Sequence, residues 1–543
     1  MLKKLRFTIF IVSNLIVAQN TVGTTFISDG VYDGYTLFTV SNNSYLINNC
    51  GEVINQWIST FPPGNSVYLL ENGNLLRAGR TSSTDITFGG QGGVVELYDW
   101  DGTLIWQYFY DTPTMRQHHD VYPMPNGNVL ILAATVMDNS EAIQAGRNPM
   151  LLTETDLYNE QIIEVTPIGF SSANIVWEWN IKDHLIQDFD ATKDNFGDVG
   201  LSPNKLDINF LNGGSGGSNW LHINSIQYNE ERDQIIMSSR NLSEIWIIDH
   251  STTTAEAASD TGGNYGRGGD LLYRWGNPEA YRQGTPADRT LFGQHTPYFI
   301  PVGFPNERKI ILYNNGIDRA PFYSQVDIIS PPENTLGVYD YTPNTAYLPS
   351  TTDYTYDEFT SGNSDFFSPI VSSAQQLPNG NILICEGNQG YVFEINSNEE
   401  KVWEYINPVN SNTGNISTQG DPPPNANLTF RAEKYPTDYP AFNGRDLTPS
   451  NPIELNPDLT PCNNLSTLEF EINSVVIYPN PTSNIIQIES INEIDKIELY
   501  HILGRRISVS TQSKIDLSQQ SSGIYILKIH SGSKSITRKI VKN

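Results

Sequence analysis

His119, His222 and His295 each stand at the head of a short apolar segment that runs through a polar turn into a second apolar segment. Seven residues separate His119 from the turn residue Asn126, and seven separate His222 from Asn229; His295 lies eleven residues before Asn306, a looser match. Units of a repeat architecture stack equivalently, so equivalent side chains are expected at one radius and three imidazoles at one spot. The chain has only 8 histidines, so the repeat places a large share of them. Such a cluster can hold an anion, ligate a metal or supply a nucleophile. Three imidazoles with an open fourth position would suit catalytic zinc. Ligating histidines usually carry an outer carboxylate, however, and only His119 has an acidic neighbour, Asp120. Arg240, eighteen residues after His222, lies on the returning strand of the same hairpin. A permanent cation disfavours a metal there and suits a tetrahedral oxyanion, so neither metal nor cofactor is expected. Of the adjacent pair His118 and His119, the second is in register with His222. Strand alternation then turns His118 to the other face, unless a bulge intervenes.

The elements that must position these residues are hairpins. Asn-Gly-Asn recurs at Asn72–Asn74, Asn126–Asn128 and Asn379–Asn381 between apolar segments, with degenerate versions at Asn229–Asp233 and Asn306–Lys309, and a polar turn between such runs signals a hairpin. Each hairpin is followed by a further strand pair, several ending in Trp: Trp106, Trp177 and Trp179, Trp275, Trp403, with Trp57 at the start. Trp57, Trp106, Trp179, Trp275 and Trp403 are expected to pack between sheets rather than form a substrate platform. Five hairpins and an opening half-unit, at four strands each, predict an all-β, six-bladed β-propeller. The alternatives are a large sandwich or an array of β domains. The longest insertion falls between Asn128 and His222. Asp99-Trp100-Asp101-Gly102 is read as an Asp-Gly turn. His184, His250, His501 and His530 lack repeat placement and are expected at the surface.

The two ends differ from this body. Residues 1–19 carry Lys3, Lys4 and Arg6, the apolar run Phe7–Val17, then Ala18 and Gln19, the pattern of a secretory signal. From about Val475 the chain turns to short alternating strands, expected to form a small β-sandwich. The expected domains are 1–19, 20–465 and 466–543. A net charge of -28 excludes the basic footprint that nucleic acids require, and no stable membrane insertion is expected. Three cysteines allow one disulfide: Cys385 reads as a buried strand residue, while Cys50 and Cys462 could close the central domain.

Tyr478-Pro479-Asn480-Pro481, Gly504-Arg505, Gly523-Ile524-Tyr525 and the basic tail Lys539–Lys542 resemble the C-terminal sorting domain of the type IX secretion system of Bacteroidetes. That resemblance implies the type IX machinery as a partner and a secreted or cell-surface location. Residues from about Tyr35 to Leu455 resemble the arylsulfotransferase family, the aryl-sulfate sulfotransferases that use no nucleotide donor. The matching motifs are His118-His119-Asp120, Trp220-Leu221-His222-Ile223-Asn224-Ser225, Ser238-Ser239-Arg240, Tyr273-Arg274-Trp275-Gly276-Asn277-Pro278, Gln294-His295 and Phe430–Pro436. The resemblance implies a six-bladed propeller working by ping-pong, with a histidine carrying the sulfuryl group from an aryl sulfate donor to a phenolic acceptor. It puts the nucleophile at His295, sulfate binding at His222 and Arg240, and a further histidine at the His118–His119 pair. His119 is taken as catalytic and His118 as substrate-binding. Rival expectations are a sulfatase-like hydrolase, in which water takes the group, and a secreted binding propeller. A homodimer is compatible with all three.

Overall fold

A computed structural model of the protein describes residues 20–214, 216–360, 364, 366–462, 475–490, 494–501, 505–531 and 534–543. The signal expected over 1–19 lies outside them. The chain divides into two compact units after Asp458.

Six antiparallel sheets of four or five strands form the blades of the first unit, and each predicted hairpin joins the first two long strands of one blade. Blade 2 comprises Pro63–Leu69, Leu75–Arg80, Gly93–Tyr98 and Leu104–Phe109. Blade 3 comprises Met115–Pro123, Val129–Asp138, Asp156–Ile168 and Ser172–Asn180, with the short edge strand Asp111–Thr112. Blade 4 comprises Ile223–Asn229, Gln234–Ser239, Glu244–Asp249 and Tyr273–Trp275. Blade 5 comprises His295–Phe299, Ile310–Asn314, Gln325–Ile329 and Tyr354–Tyr356. Blade 6 comprises Ser373–Gln376, Ile382–Glu386, Tyr391–Ile395 and Lys401–Ile406, and Gly23–Ile27 adds a fifth strand at its edge. The opening half-unit, Gly34–Val40, Asn43–Ile47 and Val53–Ile58, becomes blade 1 when the late segment Ala432–Pro436 pairs beside Gly34–Val40. The conspicuous Phe430–Pro436 motif is therefore the strand that closes the ring.

At least one hydrogen bond between a backbone N–H and a side chain spans the first strands at every blade boundary. Leu69 N–H donates to Tyr435 Oη at 3.1 Å, Val121 N–H to Ser66 Oγ at 3.1 Å and Ile226 N–H to Asp120 Oδ2 at 3.1 Å. Thr296 N–H donates to Ser225 Oγ at 3.2 Å, Gln376 N–H to Tyr298 Oη at 2.7 Å and Lys434 N–H to Gln375 Oε1 at 2.7 Å. Between the blades lies an apolar core that includes Trp57, Trp106, Trp179, Trp275 and Trp403, all buried as expected. Asp99 takes the hydrogen bond of the Thr103 N–H and Gly102 sits at φ +84°, so the Asp-Gly segment is a turn.

The partners of Asp120, His184 and His250 correct the sequence reading. Asp120, the carboxylate next to His119, does not serve the imidazoles. It pairs with Arg431 of the closing segment and accepts from Tyr68 and Ile226, all within the buried interior. Asp120→Ala would leave the buried Arg431 guanidinium, among carboxylates, only the 3.9 Å contact to Glu433 and open two blade boundaries; we expect a loss of about 3–5 kcal/mol, read from the denaturant midpoint. His184 is fully buried, its ring bonded to Asp270 and the Ala257 carbonyl. His250 is largely buried between Asp233 at 2.7 Å and Glu164 at 2.9 Å, which ties blade 4 to blade 3. Neither is the surface residue expected, because tertiary carboxylates recruit them.

Although burial opposes the charge of His250, bonds to Asp233 and Glu164 raise its pKa to about 9. A raised pKa stabilises fully below the unfolded value near 6.5 and loses that stabilisation as pH rises through the folded value. Melting temperature should therefore fall between pH 6.5 and 9, and His250→Gln should flatten that limb.

The second unit holds two sheets, one of Val475–Tyr478, Ile485–Ser490 and Lys514–Asp516, the other of Arg506–Ser510, Lys496–His501, Gly523–Ser531 and Lys534–Lys542. Ile486, Ile488, Leu499, Leu527, Ile529 and Ile540 fill one core between them, the expected sandwich. Cys385 is free and buried, the strand residue expected. Among the described residues no helix is long and apolar enough to cross a membrane.

Candidate active site

The inner strands of blades 3, 4 and 5 break register at their heads, between Gln117 and Val121, Ile223 and Ser225, and His295 and Tyr298. At or just before each break one non-glycine residue adopts positive φ: His119 at 49°, His222 at 50° and Thr296 at 51°. Such conformations are uncommon outside glycine and gather at functional sites. His119 and His222 are thus structural equivalents, in the register read from the turns. The left-handed residue of the third copy is Thr296, so His295 occupies the position held by His118 in blade 3. The irregular strand heads also overturn the two-face expectation for the adjacent pair. His118 and His119 are both buried, and their Nδ1 atoms lie 2.9 Å apart.

The imidazoles converge. The rings of His119 and His222 have centroids 4.7 Å apart, and Phe430 lies 6.4 Å from both His119 and His295. Arg240 follows the second strand of blade 4, where its N–H bonds the His222 carbonyl at 3.1 Å. Its side chain passes 3.8 Å from where a Cβ on Gly293, two residues before His295, would lie. Its side-chain hydrogen bond goes to Asn241 Oδ1 at 3.3 Å rather than to a carboxylate, so the cation is available to an anion.

Each imidazole has a partner that sets its hydrogen. Asn315 lies just past the second strand of blade 5, the place Arg240 holds in blade 4. Its amide nitrogen donates to the carbonyls of Ser368 at 2.7 Å and Val371 at 2.9 Å, so its oxygen faces the His295 Nδ1 at 2.7 Å. Nδ1 therefore carries the hydrogen, and Nε2 keeps a lone pair. Burial, then the Arg240 cation, lowers His295 to about 3 against the opposing pull of Asn315. At His222 the Asn219 amide approaches Nδ1 at 2.6 Å, which leaves Nε2–H as a donor. Burial foremost, then Arg240, holds His222 well below the usual imidazole range; burial foremost, then His222, does the same for His119. His118 Nε2 meets the buried carboxylate of Glu160 at 2.8 Å.

A segment from blade 2 covers this group. The Phe88 ring lies 4.8 Å from His118, 6.3 Å from His119 and 6.2 Å from His222. A Cβ on Gly89 would come 3.3 Å from His222, and one on Gly90, at φ +79°, would collide with His119. Gly90 is glycine for both reasons. Arg116, fully buried, pins the segment by donating to the carbonyls of Thr81, Ser83, Ile86 and Gly92. Beside it a cavity of about 340 Å³ is lined by Tyr158, Trp220, Asn219, Arg240, Glu154 and Asp318, among others. The predicted insertion before His222 supplies several of these.

Sequence reasoning missed Asn315, Asn219, Glu160, Phe88 and Arg116. Repeat equivalence with Arg240 was signal enough for Asn315. The others come from segments with no repeat signature. Among the described residues no group of three His, Cys, Asp or Glu side chains is arranged to hold a metal.

The β-propeller thus gathers a buried imidazole cluster and a guanidinium whose side-chain hydrogen bond goes to no carboxylate. The arylsulfotransferase (ASST) model matches residues 31–429, and the chain belongs to that family; it is a sulfotransferase. The secretion system C-terminal sorting domain model matches residues 476–543, so the chain carries a type IX sorting domain, engages that machinery and is exported to the cell surface or beyond. Among curated proteins no relative matches. Solved structures give distant likenesses: a protein of unknown function from Bacteroides caccae (12% identity, 74% of this chain and 98% of that one, TM-score 0.38). A catalytically inactive virginiamycin B lyase from Staphylococcus aureus is 10% identical over 72% of this chain and 89% of its own, with TM-score 0.33. Neither likeness bears on the site.

Proposed function

We propose that this exported sulfotransferase moves a sulfuryl group from an aryl sulfate to a phenol through a sulfohistidine at His295. The observation that carries the reading is the tautomer imposed by Asn315: an uncharged His295 with its Nε2 lone pair free, buried beside Arg240. In the first half-reaction Nε2 attacks sulfur, an N–S bond forms, the S–O bond to the aryl group breaks, and a phenolate leaves with the electron pair. In the second, the acceptor phenol loses its proton, its oxygen takes the sulfuryl group, and the N–S bond breaks. By analogy with phosphoryl transfer, positioning and charge stabilisation do most of the work. Arg240 and the Nε2–H of His222 would hold the sulfuryl oxygens, and preorganised donors in a dry site are worth most. His119, against His222, completes the group, and His118 acts behind it rather than on the oxygens. The first unit, which ends at Asp458, would be the catalytic domain.

The hydrolase reading is the weaker one. Phe88 and the Gly89–Gly90 backbone cover the imidazoles, which keeps water from competing for the sulfohistidine. The test is p-nitrophenyl sulfate turnover with and without phenol. Release of p-nitrophenol that needs phenol and yields phenyl sulfate supports the transferase. Phenol-independent release supports a hydrolase, and no release in either condition overturns both.

A further inference from the structure

The sulfuryl cycle must deliver a proton to one phenolate and remove one from an incoming phenol inside a covered site. We propose that Glu160, His118 and His119 form a relay that lends this proton in the first half-reaction and recovers it in the second. The proposal rests on the sulfotransferase reading above.

Glu160 lies on the third strand of blade 3 and is held from two blades. Its Oε1 accepts the Ile223 N–H at 3.0 Å, and its Oε2 meets His118 Nε2 at 2.8 Å. A carboxylate only accepts, so the hydrogen of that contact belongs to His118 Nε2. The other nitrogen of His118 faces His119 Nδ1 at 2.9 Å, and two imidazole nitrogens at that distance share one hydrogen. The line has two states. In one, His118 is an imidazolium beside Glu160, its Nδ1–H donates to His119, and His119 carries its own hydrogen on Nε2. In the other, both rings are neutral, His119 donates from Nδ1 and keeps a lone pair on Nε2. Passing from the first state to the second moves one proton out through His119 Nε2.

The proton balance matches the ping-pong cycle. As the S–O bond breaks, the leaving phenolate takes the Nε2 proton of His119, and His118 gives its Nδ1 proton to His119. As the acceptor phenol attacks, His119 Nε2 takes its proton and passes the Nδ1 hydrogen back to His118. No solvent proton is consumed. The resting charge is assigned to His118 because its Nε2 faces the Glu160 carboxylate at 2.8 Å, whereas the His119 ring lies among imidazoles. His119 touches the reacting groups; Glu160 and His118 act through it.

The test uses single-turnover release of phenol from the donor alone, with the full chain and two donors. p-Nitrophenol leaves readily as its anion, whereas the phenol of phenyl sulfate needs a proton. Glu160→Gln keeps the shape and the acceptor for Ile223 N–H but not the charge. It should slow phenyl sulfate roughly 10²-fold, the size of a general-acid contribution, and p-nitrophenyl sulfate several-fold at most. His119→Gln should reproduce the same donor dependence. Equal slowing of both donors by both variants would overturn the relay while leaving sulfuryl transfer intact. If the wild-type chain releases neither phenol, the sulfotransferase reading falls and takes the relay with it.

Discussion

His295→Ala is expected to lower phenol-dependent turnover of p-nitrophenyl sulfate by about 10⁴-fold or more, the scale on which loss of a nucleophile acts. No other imidazole can take over. His222 offers a hydrogen from Nε2 because Asn219 engages its Nδ1, and His119 is tied through His118 to Glu160. The wild-type protein, incubated with donor alone, should gain one sulfuryl group in intact mass, and the alanine variant none. The same geometry sets the pH behaviour. With His295 lowered to about 3, protonation of the nucleophile removes no activity until pH approaches that value. Stability fails sooner. Imidazoles held below their ordinary value are protonated in the unfolded chain first, so the folded state loses ground as pH falls below about 6.5. An acid limb near pH 5 that follows unfolding, and not rate, is the expected pattern.

Arg240→Ala should cost about 10²–10³ in turnover, as removal of one preorganised donor does, and should weaken competition by inorganic sulfate. Arg240→Lys should recover only part of this, because an ammonium lacks the planar fork that matches two oxygens of a sulfuryl group. The expected loss is large because the guanidinium has no carboxylate to return to. Its contact with Asn241 is 3.3 Å, and Asp318 is an exposed neighbour. A variant losing less than tenfold would place the sulfuryl oxygens elsewhere.

The hairpins that open blades 2 to 6 were legible because Asn-Gly-Asn and its degenerate forms mark the turn between the first two strands, and local turn chemistry is a local signal. Blade 1 was legible only as a half-unit, since its inner strand, Ala432–Pro436, lies about 400 residues further along the chain. Arg240 was legible for the same reason as the histidines: a returning strand brings it back to its partner. Glu160 was not. It sits in an ordinary strand pattern, and its role comes from the inner strand of its own blade and that of the next. Phe88 and Arg116 were not either, because a covering segment has no period.

By itself, the sequence determined the units, their number, the end of each blade at which chemistry gathers, and the residue types found there; each is a matter of spacing along one hairpin. Tertiary structure alone decided which partner each imidazole meets. The irregular strand heads set His118 against His119, Asn315 and Asn219 choose opposite tautomers for His295 and His222, and Asp120 is drawn away to Arg431. A hydrogen-bond partner assigns the proton, and in a propeller those partners come from neighbouring blades, at separations that no local pattern encodes.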